Sequence, residues 1–194
     1  MSRIKPFLFA ALFASFSAAA QPSANSTIPD GFKTGTVVTA EHTYLQGHVK
    51  DNIKKGSEVI LITPDGKLAK YKASQLSEVT IDNTNFIVDA GSFFKVVSEG
   101  PKVKLYQKAS AGGDRIEYNG AEPIAISGGV GDYDDYFIQK AGDKKLEIVR
   151  KKDLKKLVEG WAKDCQQIAD KSKSEAIALT EIVQYVNIYN TCSN

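Results

Sequence analysis

The chain has 194 residues, 25 Lys and Arg against 23 Asp and Glu, 42% hydrophobic side chains, two Cys and one Trp. Too many side chains are apolar for a disordered chain, two cysteines are too few for a disulfide-dense miniprotein, and no glycine period supports a collagen-like rod. The length suits one ordinary domain, or one domain with a small appendage.

Residues 1–20 carry Arg3 and Lys5, an apolar stretch from Phe7 to Phe16, and the small residues Ala18, Ala19 and Ala20 before Gln21. That layout predicts a bacterial secretory signal peptide, cleaved between Ala20 and Gln21. At about 1.5 Å per helical residue the apolar run covers roughly 20 Å, short of the ~30 Å hydrocarbon core of a bilayer. No Cys lies near the cleavage point, so no lipid-modified N-terminus is expected. Arg3 and Lys5 are the only charged residues of the leader, so its removal leaves 23 basic against 23 acidic residues. No global electrostatic argument for nucleic acid survives. No second apolar run approaches spanning length, which predicts a soluble periplasmic or secreted product without a transmembrane segment.

Residues 21–34 read as a flexible leader, rich in Pro, Ser and Asn up to Asp30. The Asn25-Ser26-Thr27 sequon is read as accidental in a bacterial-type exported protein. Residues 35–150 read as a β-rich body. Thr36–Thr39 and Tyr44–Leu45 flank a turn at Glu41-His42, and Val59–Ile62 runs into the turn-favouring Pro64-Asp65-Gly66 before Leu68 and Tyr71. Further strands are predicted at 79–81, 85–89, 93–98 and 102–107. After a Gly-rich interval they resume at 135–139 and 146–150. Short strands with a turn signal every ten or so residues predict an antiparallel meander forming a sandwich or barrel-like body. No helical pattern intervenes to support parallel βαβ units.

After Lys152 the period changes. Leu154, Leu157, Val158, Trp161, Cys165 and Ile168 recur at helical spacing, with Asp153 as the expected N-cap. A second helix is predicted over 175–190, capped by Ser174. Residues 151–194 therefore form a helical segment packed on the same domain, and the fold class is α+β.

Cys165 and Cys192 are the only cysteines, and an isolated pair in an oxidising compartment predicts a disulfide. Two unbroken helices meeting near Ser172 would hold these residues far beyond the ~7 Å Cα limit of a bond. The disulfide therefore requires a break near 164–167 or a fold-back after Asn190. Their spacing is unlike a thiol-redox motif. His42 and His48, the only histidines, make an incomplete zinc set and read as surface residues. The Gly128–Asp135 loop lacks the last glycine of a dinucleotide fingerprint, a Walker lysine and the EF-hand spacing, and reads as a solvated loop. Ser92-x-x-Lys95 and Lys33-Thr34-Gly35 match pieces of penicillin-interacting serine enzymes, but in reversed order and without Ser-Asp-Asn, which reads as coincidence. No catalytic set is assembled and no cofactor or metal is expected.

Residues 140–173 carry 11 basic and 6 acidic side chains. Their densest part, Lys144 to Lys156, offers a basic docking patch of Lys151, Lys152, Lys155 and Lys156. It suits anionic lipid headgroups, lipopolysaccharide phosphates or an acidic partner, against the plainer reading of a solvated helix face.

The Gly35-Thr-Val-Val and Leu45-Gln-Gly47-His-Val49 segments, the Pro-Asp-Gly hairpin, Tyr71-Lys-Ala-Ser, Phe93-Phe-Lys-Val-Val-Ser-Glu-Gly100 and Val103-Lys-Leu105-Tyr106 follow one another in a familiar order. Asp164-Cys165, Ile182-Val183 and Tyr189-Asn190 complete it. The chain is similar to a broad group of uncharacterised exported proteins of Gram-negative, Bacteroidetes-type bacteria. This resemblance covers most of the mature chain, implies export and a β-rich body with a helical tail, and supplies no catalytic set. The functional expectation is a non-enzymatic binding or interaction module of the cell envelope, its partner another envelope protein or an anionic envelope surface. The alternative is a hydrolase-like periplasmic enzyme using Asp132, Asp134 or His48.

Overall fold

Period-two alternation of apolar and polar residues sets most of the strands, as in Glu58–Ile62, where Val59 and Leu61 are buried between less buried neighbours. The computed structural model describes residues 28–110, 114–119, 122–127, 132–173 and 177–192. In it, β1 (Phe32–Thr39), β2 (Tyr44–Asn52), β3 (Glu58–Ile62) and β4 (Leu68–Lys72) form an antiparallel meander, with the single turn α1 (Ile53–Gly56) between β2 and β3. A second meander, β5 (Leu76–Ile81), β6 (Thr84–Asp89), β7 (Ser92–Ser98) and β8 (Val103–Lys108), is joined to it by pairing of β5 with β1. After a separate hairpin, β9 (Asp114–Asn119) and β10 (Glu122–Ser127), the strand β11 (Tyr136–Lys140) returns to β8 and carries β12 (Glu147–Ile148) on its outer side. The ten-stranded sheet runs β12-β11-β8-β7-β6-β5-β1-β2-β3-β4.

The sheet coils strongly. Six strand spacings separate β4 from β7, about 29 Å if the sheet were flat, yet the 3-10 turn Ala73–Gln75 that follows β4 lies against β7. Gly35 and Gly47, paired across β1 and β2, permit the bend. A Cβ on Gly35 would lie 2.2 Å from the Thr80 carbonyl oxygen, and one on Gly47 2.1 Å from that of Ile62. Inside the coil, Val37, Val49, Leu61, Val79 and Phe93 bury against Ile53 and Ala73.

The helices cover the other end of the sheet. Leu154, Val158 and Trp161 of α2 (Lys151–Ala162) pack with Ile168 of α3 (Gln166–Lys171) and with Ile182, Tyr185 and Val186 of α4 (Ile182–Thr191). Together they close over Val103, Leu105 and Ile138. Asn190 pins α4 to the start of β8. Its Oδ1 accepts from the amides of Lys102 at 3.1 Å and Val103 at 2.9 Å, and its Nδ2 donates to the Val103 carbonyl at 2.8 Å. On the far face of the sheet Phe94, Tyr106 and Phe137 are buried together, with Phe94 edge-on to Phe137.

The α+β expectation holds, with β4 and β12 as the open edges of a coiled sheet. Other expectations need correction. β1 starts at Phe32, inside the stretch assigned to the leader, and β9–β10 lies in the Gly-rich interval, where the sequence reading places no strand. The N-cap of α2 is Arg150, not Asp153, because the helix begins earlier and places Asp153 within its first turn. α4 begins at Ile182, after a 3-10 turn at Leu179–Glu181 that the Glu181 carboxylate tightens by accepting the Ala178 amide. Ser174, the expected cap, lies outside the described residues, as do the signal segment and its Ala20–Gln21 junction.

The break that the disulfide required is present. The amides of Lys163 and Asp164 turn back to the carbonyls of Gly160 and Trp161 in 3-10 fashion, and Cys165 is extended before α3. Cys165 and Cys192 are bonded, with their Cα atoms 5.8 Å apart.

Candidate functional site

The basic patch is built on the first two turns of α2. The helix buries Leu154, Val158 and Trp161, which turns Lys151, Lys152, Lys155 and Lys156 to solvent. Lys155 pairs with Glu159 at 3.9 Å, with both side chains exposed, and Lys156 stands three residues from both Asp153 and Glu159. The arrangement runs against helix electrostatics. The N-terminal end carries the positive pole of the helix dipole and favours acidic side chains. Like charges four residues apart, as in Lys151/Lys155 and Lys152/Lys156, cost a helix roughly 0.2–0.5 kcal/mol per pair. Asp153 is the only acidic residue in the first turn, and no basic residue stands in the last.

Beside this face, α2 and the β11–β12 edge line an open cleft of about 550 Å³. Its floor is apolar: Ile138, Val149 and Trp161 are nearly fully buried, with Ile148 and Leu157 beside them. Lys140 and Glu147 form an ion pair at 3.4 Å on the strand side, and Lys156 and Asp153 stand on the α2 side. Trp161 is held by stacking on Tyr189, with ring centroids 5.1 Å apart and planes 13° from parallel.

Two further clefts have different chemistry. One, of about 220 Å³, is lined by Lys54, Lys95, Lys108, Tyr133 and Asp134. The Lys54 ammonium sits 4.4 Å from the Tyr133 ring centroid, and its hydrogen bond to the Tyr133 hydroxyl pushes its pKa up. Lys108 has no solvent exposure; burial pushes its pKa down against the opposing pull of Asp132 and Asp135. Nothing in the local sequence distinguishes Lys108 from the exposed Lys104 four residues earlier on the same strand face, so sequence reasoning missed it. The other cleft, of about 480 Å³, lies on β1, β2 and β5 and is lined by polar groups including Thr34, Thr36, Gln46, His48 and Thr80.

The remaining sequence candidates are dispersed. His42 sits exposed in the β1–β2 turn in a left-handed conformation, so the two histidines share no continuous strand. His48 lines the polar cleft and Asp134 the lysine-lined one, while the Asp135 carboxylate accepts the Asp132 amide at 2.6 Å. His48, Asp132 and Asp134 therefore do not gather in one cleft among the described residues. Gly128 to Gly131 lie outside those residues. Ser92 is buried, and three positions along a strand put it on the face opposite Lys95. Lys33, three strands away in the sheet order, forms an ion pair with Asp82 at 3.7 Å and shares with Lys95 a cleft that Ser92 does not line. Among the described residues no three His, Cys, Asp or Glu side chains are placed to hold a metal ion.

No protein-family model, curated protein or solved structure matches the chain.

Proposed function

We propose that this protein is an exported, non-enzymatic binding module of the cell envelope that docks on an anionic surface through Lys151, Lys152, Lys155 and Lys156. One observation carries the reading. Four exposed lysines are concentrated at the end of α2 where they weaken the helix, so their placement calls for an acceptor outside the chain. A surface bearing phosphates, whether lipid headgroups or lipopolysaccharide, supplies it. The Cys165–Cys192 bond supports an oxidising compartment, and among the described residues no helix is long and apolar enough to cross a membrane.

The test is co-sedimentation with phosphatidylglycerol vesicles, with phosphatidylcholine vesicles as the neutral control. The protein should pellet with the anionic vesicles only, and release as salt shortens the Debye length to about 3 Å near 1 M. Reversal of the four lysines to Glu should abolish the association. Binding that survives both salt and charge reversal would sink electrostatic docking.

A further inference from the structure

Gly160 stands apart from the other described glycines. Every other described glycine either has a positive φ, as Gly31, Gly66, Gly91 and Gly142 do, or sits where a Cβ would collide with a neighbour, as Gly35, Gly47, Gly56 and Gly100 do. Gly160 lies in the last turn of α2, and a Cβ there would meet no atom of the described residues within 4 Å. Alanine is favoured over glycine within a helix. The residue lines the α2/β11–β12 cleft, so a side chain there would enter space that the described residues leave empty.

The cleft's chemistry indicates what that space accepts. Its floor of Ile138, Ile148, Val149, Leu157 and Trp161 is aliphatic and aromatic, and offers no buried charge to a polar ligand. Its volume of about 550 Å³ falls within the roughly 300–1,000 Å³ of small-molecule sites. Lys156 belongs both to its rim, where the paired Lys140 and Glu147 and the Asp153 carboxylate also stand, and to the basic face, and the 140–173 segment around it has a net charge of +5. An apolar slot continuous with a cationic face complements an aliphatic chain carrying an anionic head.

We infer that the α2/β11–β12 cleft takes an acyl chain of an anionic lipid in the surface on which α2 docks, with Gly160 keeping the entrance open. This rests on the docking reading above and adds the lipid's chain to its headgroup. The lysines hold the phosphate while one chain lies against Leu157 and Trp161.

Trp161 is the chain's only tryptophan and forms part of the cleft floor, so its fluorescence reports occupancy directly. The experiment mixes the intact, disulfide-bonded protein with phosphatidylglycerol vesicles whose acyl chains are brominated. Co-sedimentation is read in parallel. Trp161 emission should be quenched on binding, because bromine on a chain in the cleft comes into contact range. The G160L variant should remain folded by circular dichroism, since its side chain enters open space. It should bind the same vesicles about tenfold more weakly, the loss expected when two methylenes are no longer buried, and its vesicle-bound fraction should show no quenching. G160A serves as the smaller obstruction and should give intermediate quenching.

Vesicle binding without quenching in the wild-type protein would overturn the acyl-chain site and leave headgroup docking standing. Equal quenching of G160L and wild type would overturn it too, since the cleft would not be the point of entry. Absence of vesicle binding would overturn the docking reading and this inference with it. Quenching by monomeric 12-bromododecanoate, blocked by G160L, in a protein that ignores vesicles would replace the membrane lipid with a free single-chain ligand.

Discussion

Removal of the Cys165–Cys192 bond should lower stability by an amount fixed chiefly by the loop it closes. The two residues are 27 positions apart, and their loop contains α3 and α4, the elements that bury Ile168, Ile182, Tyr185 and Val186 against the sheet. On the chain-entropy account a loop of this size restricts the unfolded state by about 3.5 kcal/mol. For a domain of this length, that corresponds to a loss of roughly 7–14 °C in melting temperature. Cys165 is almost fully buried, so the double variant should be C165A/C192A; serine would add an unpaired hydroxyl to the core. The assay is thermal unfolding followed by circular dichroism, on oxidised wild type, wild type with excess reductant, and the double variant. The two bond-free samples should melt close together and well below the oxidised protein. If all three melt within about 2 °C, which is less than 1 kcal/mol, the loop is already restricted in the unfolded chain and the reasoning is refuted.

Replacing Asn190 by Ala removes three hydrogen bonds between α4 and the start of β8 and leaves the Val103 amide without its partner, so denaturant unfolding should report a loss of about 2–3 kcal/mol. The two kinds of glycine should respond oppositely. Gly47→Ala places a methyl against the Ile62 backbone and should cost about 3 kcal/mol or prevent folding, whereas Gly160→Ala should stabilise by about 1 kcal/mol, both read from denaturation midpoints. In the β3–β4 turn, Lys67 at 2.7 Å and the Thr63 hydroxyl hold the Asp65 carboxyl down to about 2 from its ordinary 3.8. Because the folded pKa is the lower one, its contribution is complete above the ordinary value and is lost as pH falls through about 2. An NMR titration should find this midpoint near 2 and K67A should raise it; an ordinary midpoint in the wild type would show that the exposed turn contacts do not persist in solution.

The body's strands were legible because their signals are local. Pro64-Asp65-Gly66 marks the turn between β3 and β4, and the polar–apolar alternation of Lys102 to Leu105 marks β8. The spacing of Leu154, Val158 and Trp161 likewise marked α2, and cysteine arithmetic combined with helix geometry required a break that is found at Lys163–Cys165. Helix ends were less legible, since Arg150 occupies the N-cap without a side-chain hydrogen bond and so leaves no capping signature to read.

The sequence by itself determined strand periodicity, the α+β class, the cysteine pair and the cluster of lysines, because each depends on neighbours a few residues apart. Tertiary structure alone decided the rest. Pairing of β1 with β5, some forty residues apart in the chain, welds two meanders into one sheet, and the crowding at Gly35 and Gly47 shows its coil. Burial of Lys108, the clamp of Asn190 on Val103 and the apolar cleft beneath Gly160 all depend on where distant strands and helices meet. No local pattern encodes such a meeting, because the free energy that fixes it is the apolar surface buried between segments far apart in the chain.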